Sequence, residues 1–145
     1  MRFLITAAPD PDAPKNPAAA PPDAALIASY MRYNEELHNA GVLLASEGLS
    51  PSGKGARIGV SGGKRAVLDG PFAESKELVG GFYLIEVASR DEAIAWALRC
   101  PAGLGFDDHL TLHQLTDEAD LPPEMLKIIV EAAPNWSATF AKKAK

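Results

Sequence analysis

The order strand, helix, strands, helix, strand predicts an α+β fold, with one antiparallel sheet carrying two helices on one face. Two observations support that expectation. Apolar residues recur at helical spacing in two stretches and alternate or run continuously in the others. The run from Phe82 to Val87 is apolar on both sides, with Phe82 and Leu84 on one and Tyr83, Ile85 and Val87 on the other. Such a strand should be central and covered on both faces. Only two helices are available to the sheet, and they cover one face. A second copy of the same sheet is the economical cover for the other, which predicts a sheet-to-sheet homodimer. The split order is that of a ferredoxin-like sandwich.

Phe3 to Thr6 reads as the first strand. Residues 7–22 then hold six of the twelve prolines, which excludes regular helix or sheet and implies an extended surface loop. Asp23 can cap a helix running to about Ala40, with Gly41 as its left-handed terminator. Its apolar arc is Leu26, Ile27, Tyr30, Met31, Tyr33 and Leu37, with Asn34 inside it and His38 at its margin. A polar residue in a buried stripe needs a partner. Val42 to Ala45 is a short strand. Ala56 to Val60 and Lys64 to Asp69 form a hairpin turning on Gly62-Gly63. Ser89 to Glu92 is a capping box that opens a second helix, with Ala93, Ile94, Ala97 and Leu98 as its buried stripe. The last strand runs from His109 to Leu115, Leu110 and Leu112 facing one way and His109, Thr111 and His113 the other. Residues 1–116 make the domain. Residues 117–145 are a helical extension opened by Pro122-Pro123 and stopped or kinked at Pro134, too apolar to float freely and expected to pack on its own domain or on the partner.

At 145 residues and 47% hydrophobic content the chain suits one domain with a real core. Its charge of −5 and dispersed basic residues give no footprint for nucleic acid or an anionic membrane. A single cysteine, Cys100, excludes an intrachain disulfide and a Cys-rich zinc site, and reads as an inert small apolar residue. His109 and His113 share a face but stand about 13 Å apart at roughly 3.3 Å per residue, too far to share one ion. No metal and no cofactor are expected. Gly62-Gly63 and Gly80-Gly81 lack the strand and Gly-rich helix start of a phosphate site. With no signal-peptide core and no membrane-spanning run, a cytoplasmic protein is expected.

The chemistry centres on Asp69. It ends a strand before Gly70-Pro71, and Asp in a turn ordinarily bonds the backbone N–H two residues on. Pro71 has none. Asp69 must therefore bond the N–H of Phe72 or Ala73, face water, or act on something else. Burial there would raise its pKa toward a range useful for an acid or base. The alternative is an acceptor that pins the turn. Asn34, Glu47, Lys76 and Glu77 could supply polar contacts to a ligand, and Phe72 and Tyr83 either pack or line the same pocket. His38 is a second, solvent-margin candidate.

The blocks Tyr30-Met31, Asn34 to Leu37, Gly41 to Leu43, Glu47 to Leu49, Asp69 to Glu74, Lys76-Glu77, Gly80 to Ile85 and Glu92-Ala93 resemble the YCII-related family, in its DGPF subgroup. The resemblance covers roughly residues 30–100 and implies a dimeric ferredoxin-like fold of the dimeric α/β barrel superfamily. It also implies an enzyme-like domain acting on a small organic molecule. A catalytic His and Asp have been suggested for some relatives; here only Asp69 falls on the motif, and no histidine does. The alternative it implies is a non-catalytic ligand-binding or protein-interaction module linked to an extracytoplasmic-function sigma factor. The proline-rich loop and the apolar tail depart from the compact pattern.

Overall fold

The computed structural model describes residues 1–9, 24–49, 55–69, 79–101 and 108–138. Residues 10–22 of the proline-rich loop, and the expected cap Asp23, lie outside them; residues 7–9, expected in that loop, instead continue the first strand as far as Pro9, paired with residues 108–110. Two compact units are present, Met1–Gln114 and Leu115–Lys145.

In the first unit the chain runs β1 (Arg2–Pro9), α1 (Ala24–Asn39), β2 (Leu43–Gly48), β3 (Ala56–Ser61), β4 (Lys64–Asp69), β5 (Gly81–Glu86), α2 (Arg90–Leu98) and β6 (Asp108–Gln114). Four strands form one sheet in the order β2-β5-β1-β6, and every neighbouring pair is antiparallel. This is ferredoxin-like topology, with the separate β3–β4 hairpin inserted between the second and third strands of the sheet. Gly62 and Gly63 turn the hairpin with φ of 58° and 75°, the two positive values that a two-residue turn of this hand demands. Gly41, with φ 70°, ends α1 as expected.

Register decides which side chains meet. Phe3 lies opposite Ile85, and Ile5 opposite both Tyr83 and Leu112, so these residues share one sheet face. Tyr33 and Leu37 of α1 and Ala93 of α2 pack with them, joined by Val42, Val87 and Cys100. Leu4, Thr6, Phe82 and Leu84 line the opposite face, which carries none of the described helices of this unit, and they remain half-exposed.

Both helical stripes differ from the sequence expectation. Ile27 and Met31 of α1 are exposed. At about 100° per residue Asn34 lies about 60° from the fully buried Leu37, Ile27 about 80° and Met31 about 120°, so the buried arc centres on Leu37 and closes at Asn34. On α2, Ala93 is buried and Trp96 and Ala97 pack on the core, whereas Leu98 is 82% exposed. Leu98 lies about 140° round the helix from Ala93. The box at the start of α2 is shifted by one residue. Ser89 accepts from the N–H of Glu92 at 3.1 Å, but the Glu92 carboxylate takes the N–H of Ala88, at 2.9 Å, in place of that of Ser89. Ser89→Ala is expected to lower stability by about 1 kcal/mol, read as a lower urea midpoint. An unchanged midpoint would show the cap to be idle.

In the second unit, Asp117 caps a single 3₁₀ turn, Glu118–Asp120. Pro123 opens α3 (Pro123–Ala132), and Pro134 ends that run and starts the short α4 (Pro134–Ser137), as the prolines predict. Met125, Ile128 and Val130 stand exposed on α3.

Candidate functional site

The polar residue that breaks the apolar arc of α1 finds its partner on the sheet. Asn34 Oδ1 accepts from the Ser46 hydroxyl at 3.3 Å. Ser46 lies directly opposite Tyr83 in the β2–β5 ladder, and its hydroxyl and the Cys100 thiol stand beside the Tyr83 phenol. The ring of Tyr33 meets that of Tyr83 edge to face, with centroids 5.2 Å apart and planes at 81°. The Tyr33 hydroxyl donates to the Trp96 carbonyl at 2.8 Å, which ties α1 to α2. The result is a polar chain, Asn34 to Ser46 to Tyr83 to Cys100, laid through an otherwise apolar core.

Tyr33 and Tyr83 are 3% and 8% exposed. Burial pushes both phenols well above their ordinary value of 10.0, and the Cys100 thiol beside them adds to the shift. Both therefore remain neutral donors across the physiological range. Among the described residues every buried side-chain nitrogen or oxygen has a partner. Over this cluster Arg99 stacks on the Trp96 ring, 4.4 Å from its centroid, and pairs with Glu36. Both charged groups are half-exposed, so the pair adds little stability.

The structure joins some predicted site residues and separates others. Asn34 and Tyr83 meet through Ser46. Glu47 does not join them: it sits opposite Phe82, on the sheet face turned away from the helices, and is exposed. His38 is exposed in the last turn of α1. Asp69 closes β4 opposite Ala56, and its side chain lies outside the described set. Phe72, Lys76 and Glu77 lie outside the described residues.

Ser46, Tyr33 and Cys100 are the members that sequence reasoning missed. Placing Ser46 against Tyr83 requires the irregularity between Leu43 and Ala45, where the register slips. Without that bulge, alternation along β2 gives no hint of it. Gly80-Gly81 serves backbone approach: a Cβ on Gly81 would come within 3.0 Å of the Glu47 carbonyl. The Gly80 N–H donates to Ala7 O at 2.8 Å. Among the described residues no three His, Cys, Asp or Glu side chains gather as metal ligands. None of the described helices is long and apolar enough to cross a membrane.

Fold and core together define an α+β ferredoxin-like domain with a polar chain between its helices and sheet. The chain matches the YCII-related domain over residues 1–106 and belongs to that family. It is 51% identical over 49 residues to an uncharacterized protein of Rhizobium meliloti, a stretch that is 34% of this chain and 40% of that protein's length. It is also similar to the solved 5-chloro-2-hydroxyhydroquinone dehydrochlorinase of Burkholderia phenoliruptrix, in complex with 2,5-dihydroxybenzoquinone, at 17% identity and a TM-score of 0.41. That match covers 84% of this chain and all of the other.

Proposed function

We propose that this YCII-related chain is an enzyme-like domain of the DGPF type that works as a homodimer and performs acid–base chemistry on a small organic molecule. The observation that carries the reading is the convergence of Asn34 and Tyr83 on Ser46 within the core. Convergent polar groups in an apolar setting are the ordinary makings of a small-molecule site. In this reading Asp69 is the acid or base, half-buried Asn34 holds a polar atom of the ligand, and buried Tyr83 keeps Asn34 in position through Ser46. The half-exposed residues Leu4, Phe82 and Leu84 form the dimer face, burying at least about 1,000 Å².

A second reading is a non-catalytic ligand-binding or protein-interaction module working with an extracytoplasmic-function sigma factor. The exposed apolar residues of the β3–β4 hairpin favour it. One experiment separates the two. A small-molecule library is screened by thermal shift and by turnover against the parent, Asp69→Asn, Asp69→Ala and Tyr83→Phe. Under the enzyme reading Asp69→Asn melts like the parent but loses turnover of any hit, and Tyr83→Phe weakens binding of the same hit. If Asp69 only pins its turn, Asp69→Asn responds to the ligand as the parent does. Asp69→Ala then loses about 1–3 kcal/mol of stability from N–H groups left unpaired. That outcome overturns the acid–base role and leaves the module.

A further inference from the structure

The bond that Ser46 makes to Asn34 decides which end of the amide is left over. Oδ1 is taken, since it accepts from the Ser46 hydroxyl at 3.3 Å. An amide that holds its oxygen toward the sheet turns its NH2 the other way, and that group has two donors and no acceptor. Nδ2 bonds none of the described residues. Every buried side-chain nitrogen or oxygen among those residues has a partner, so Nδ2 is not sealed in the core. Asn34 is half-buried, at the margin where the buried arc of α1 gives way to exposed Met31. Tyr30, one turn before Asn34 on the same side of α1, is half-buried and packs on the core.

Charge narrows the class of ligand. Asn34 and Ser46 carry none, and burial keeps the Tyr33 and Tyr83 phenols neutral. Glu36 and Arg99, the charged pair over the cluster, satisfy each other. A cation on Asn34 would meet donors where it needs acceptors. An anion would enter a chain of net charge −5 and give up water to an uncharged amide, an exchange that costs more than it returns. An uncharged acceptor oxygen avoids both penalties.

We propose that Asn34 is the carbonyl-recognising group of the site: Nδ2 donates to the oxygen of an uncharged carbonyl compound, whose apolar body rests on the Tyr30 ring. Ser46 is then a positioning residue, because its hydroxyl holds the amide in the one sense that offers donors to the ligand. The inference rests on the reading above that Asn34 holds a polar atom of the ligand, and names that atom.

The test titrates the nitrogen-labelled full chain by NMR with three probes of similar shape: acetophenone, an uncharged acceptor; benzoate, an anion; and α-methylbenzylammonium, a donor. Acetophenone is expected to move the Asn34 side-chain NH2 signals and to bind at least about tenfold more tightly than either ion. Asn34→Asp keeps an oxygen for Ser46 but replaces the NH2 with a second acceptor, so it should lose acetophenone by at least about tenfold and prefer the ammonium ion. Ser46→Ala lets the amide turn, and is expected to narrow the preference for acetophenone by about threefold or more, with Ser46→Thr restoring it. Circular dichroism checks the fold of each variant, and the ranking of probes by the parent needs no variant at all. A parent that prefers the ammonium ion has its amide turned the other way, and one that prefers benzoate takes an anion; either result overturns the proposal. So does a parent that binds none of the three, or that binds acetophenone with the Asn34 signals unmoved. A Ser46→Ala variant as selective as the parent removes the positioning role. The acid–base reading fails separately, through the turnover of Asp69→Asn: turnover that depends on Asp69 and ignores the Asn34 and Ser46 variants sinks this inference and leaves that one standing.

Discussion

Ile85→Ala is expected to cost about 3–5 kcal/mol, while Leu98→Ala is expected to stay within about 0.5 kcal/mol of the parent. Ile85 is fully buried at the centre of the sheet, opposite Phe3 on β1 and Leu43 on β2. Truncation there loses the transfer free energy of three carbons and leaves a cavity between two strands and the helices above them. Neighbours fixed in a hydrogen-bonded ladder cannot collapse fully into that space. Domains of this kind are stable by only about 5–15 kcal/mol, so the single change removes a large fraction of the total. Leu98, 82% exposed, has little to lose. Urea unfolding at fixed protein concentration reads both, as midpoints shifted at unchanged slope. Equal losses in the two variants would mean that Leu98 is buried in solution, as the α2 stripe expected from sequence would have it.

That contrast shows where the sequence was legible. Strand order, the Gly62-Gly63 turn, the Gly41 terminator and the prolines around α3 follow from local rules, because each depends on backbone freedom within a few residues. The buried arc of a helix depends on what it packs against. In α1 the sheet presents Ile5, Tyr83 and Ile85, and the helix turns Tyr33 and Leu37 toward them, leaving Ile27 and Met31 outside. Apolar spacing alone permits either centre for the arc. In the candidate site, the break at Asn34 announced a buried polar partner, but Ser46 could not be named as that partner, because it reaches Tyr83 only through a register slip in β2. Glu47 adjoins Ser46 in sequence and therefore projects from the opposite side of the sheet. Sequence alone points to Glu47 for the site and passes over Ser46; the pleat puts Ser46 on the helix side and Glu47 on the other.

The buried tyrosines make stability fall on the alkaline side. Unfolding exposes both phenols, which then titrate near 10.0, whereas in the folded chain burial and the adjacent Cys100 thiol hold them protonated well above that. A folded pKa raised above the unfolded one means that the folded chain binds more protons than the unfolded chain once pH passes 10. The stability these groups contribute is thus complete below pH 10 and is lost as pH climbs toward their folded values. Each fully differing group contributes a slope of about 1.4 kcal/mol per pH unit, so the pair gives about 3 kcal/mol per unit. Urea midpoints for the parent should drop steeply between about pH 10 and pH 11, and the Tyr33→Phe/Tyr83→Phe variant should drop far less. The double variant also leaves the Trp96 carbonyl without the phenol that donates to it, which lowers its stability at every pH. That loss is a constant offset, so the difference in slope reads the two phenols together with the Cys100 thiol coupled to them. Parallel profiles for parent and variant would show that water reaches Tyr33 and Tyr83 freely, and the polar chain from Asn34 to Cys100 would then be an open surface and not part of the core.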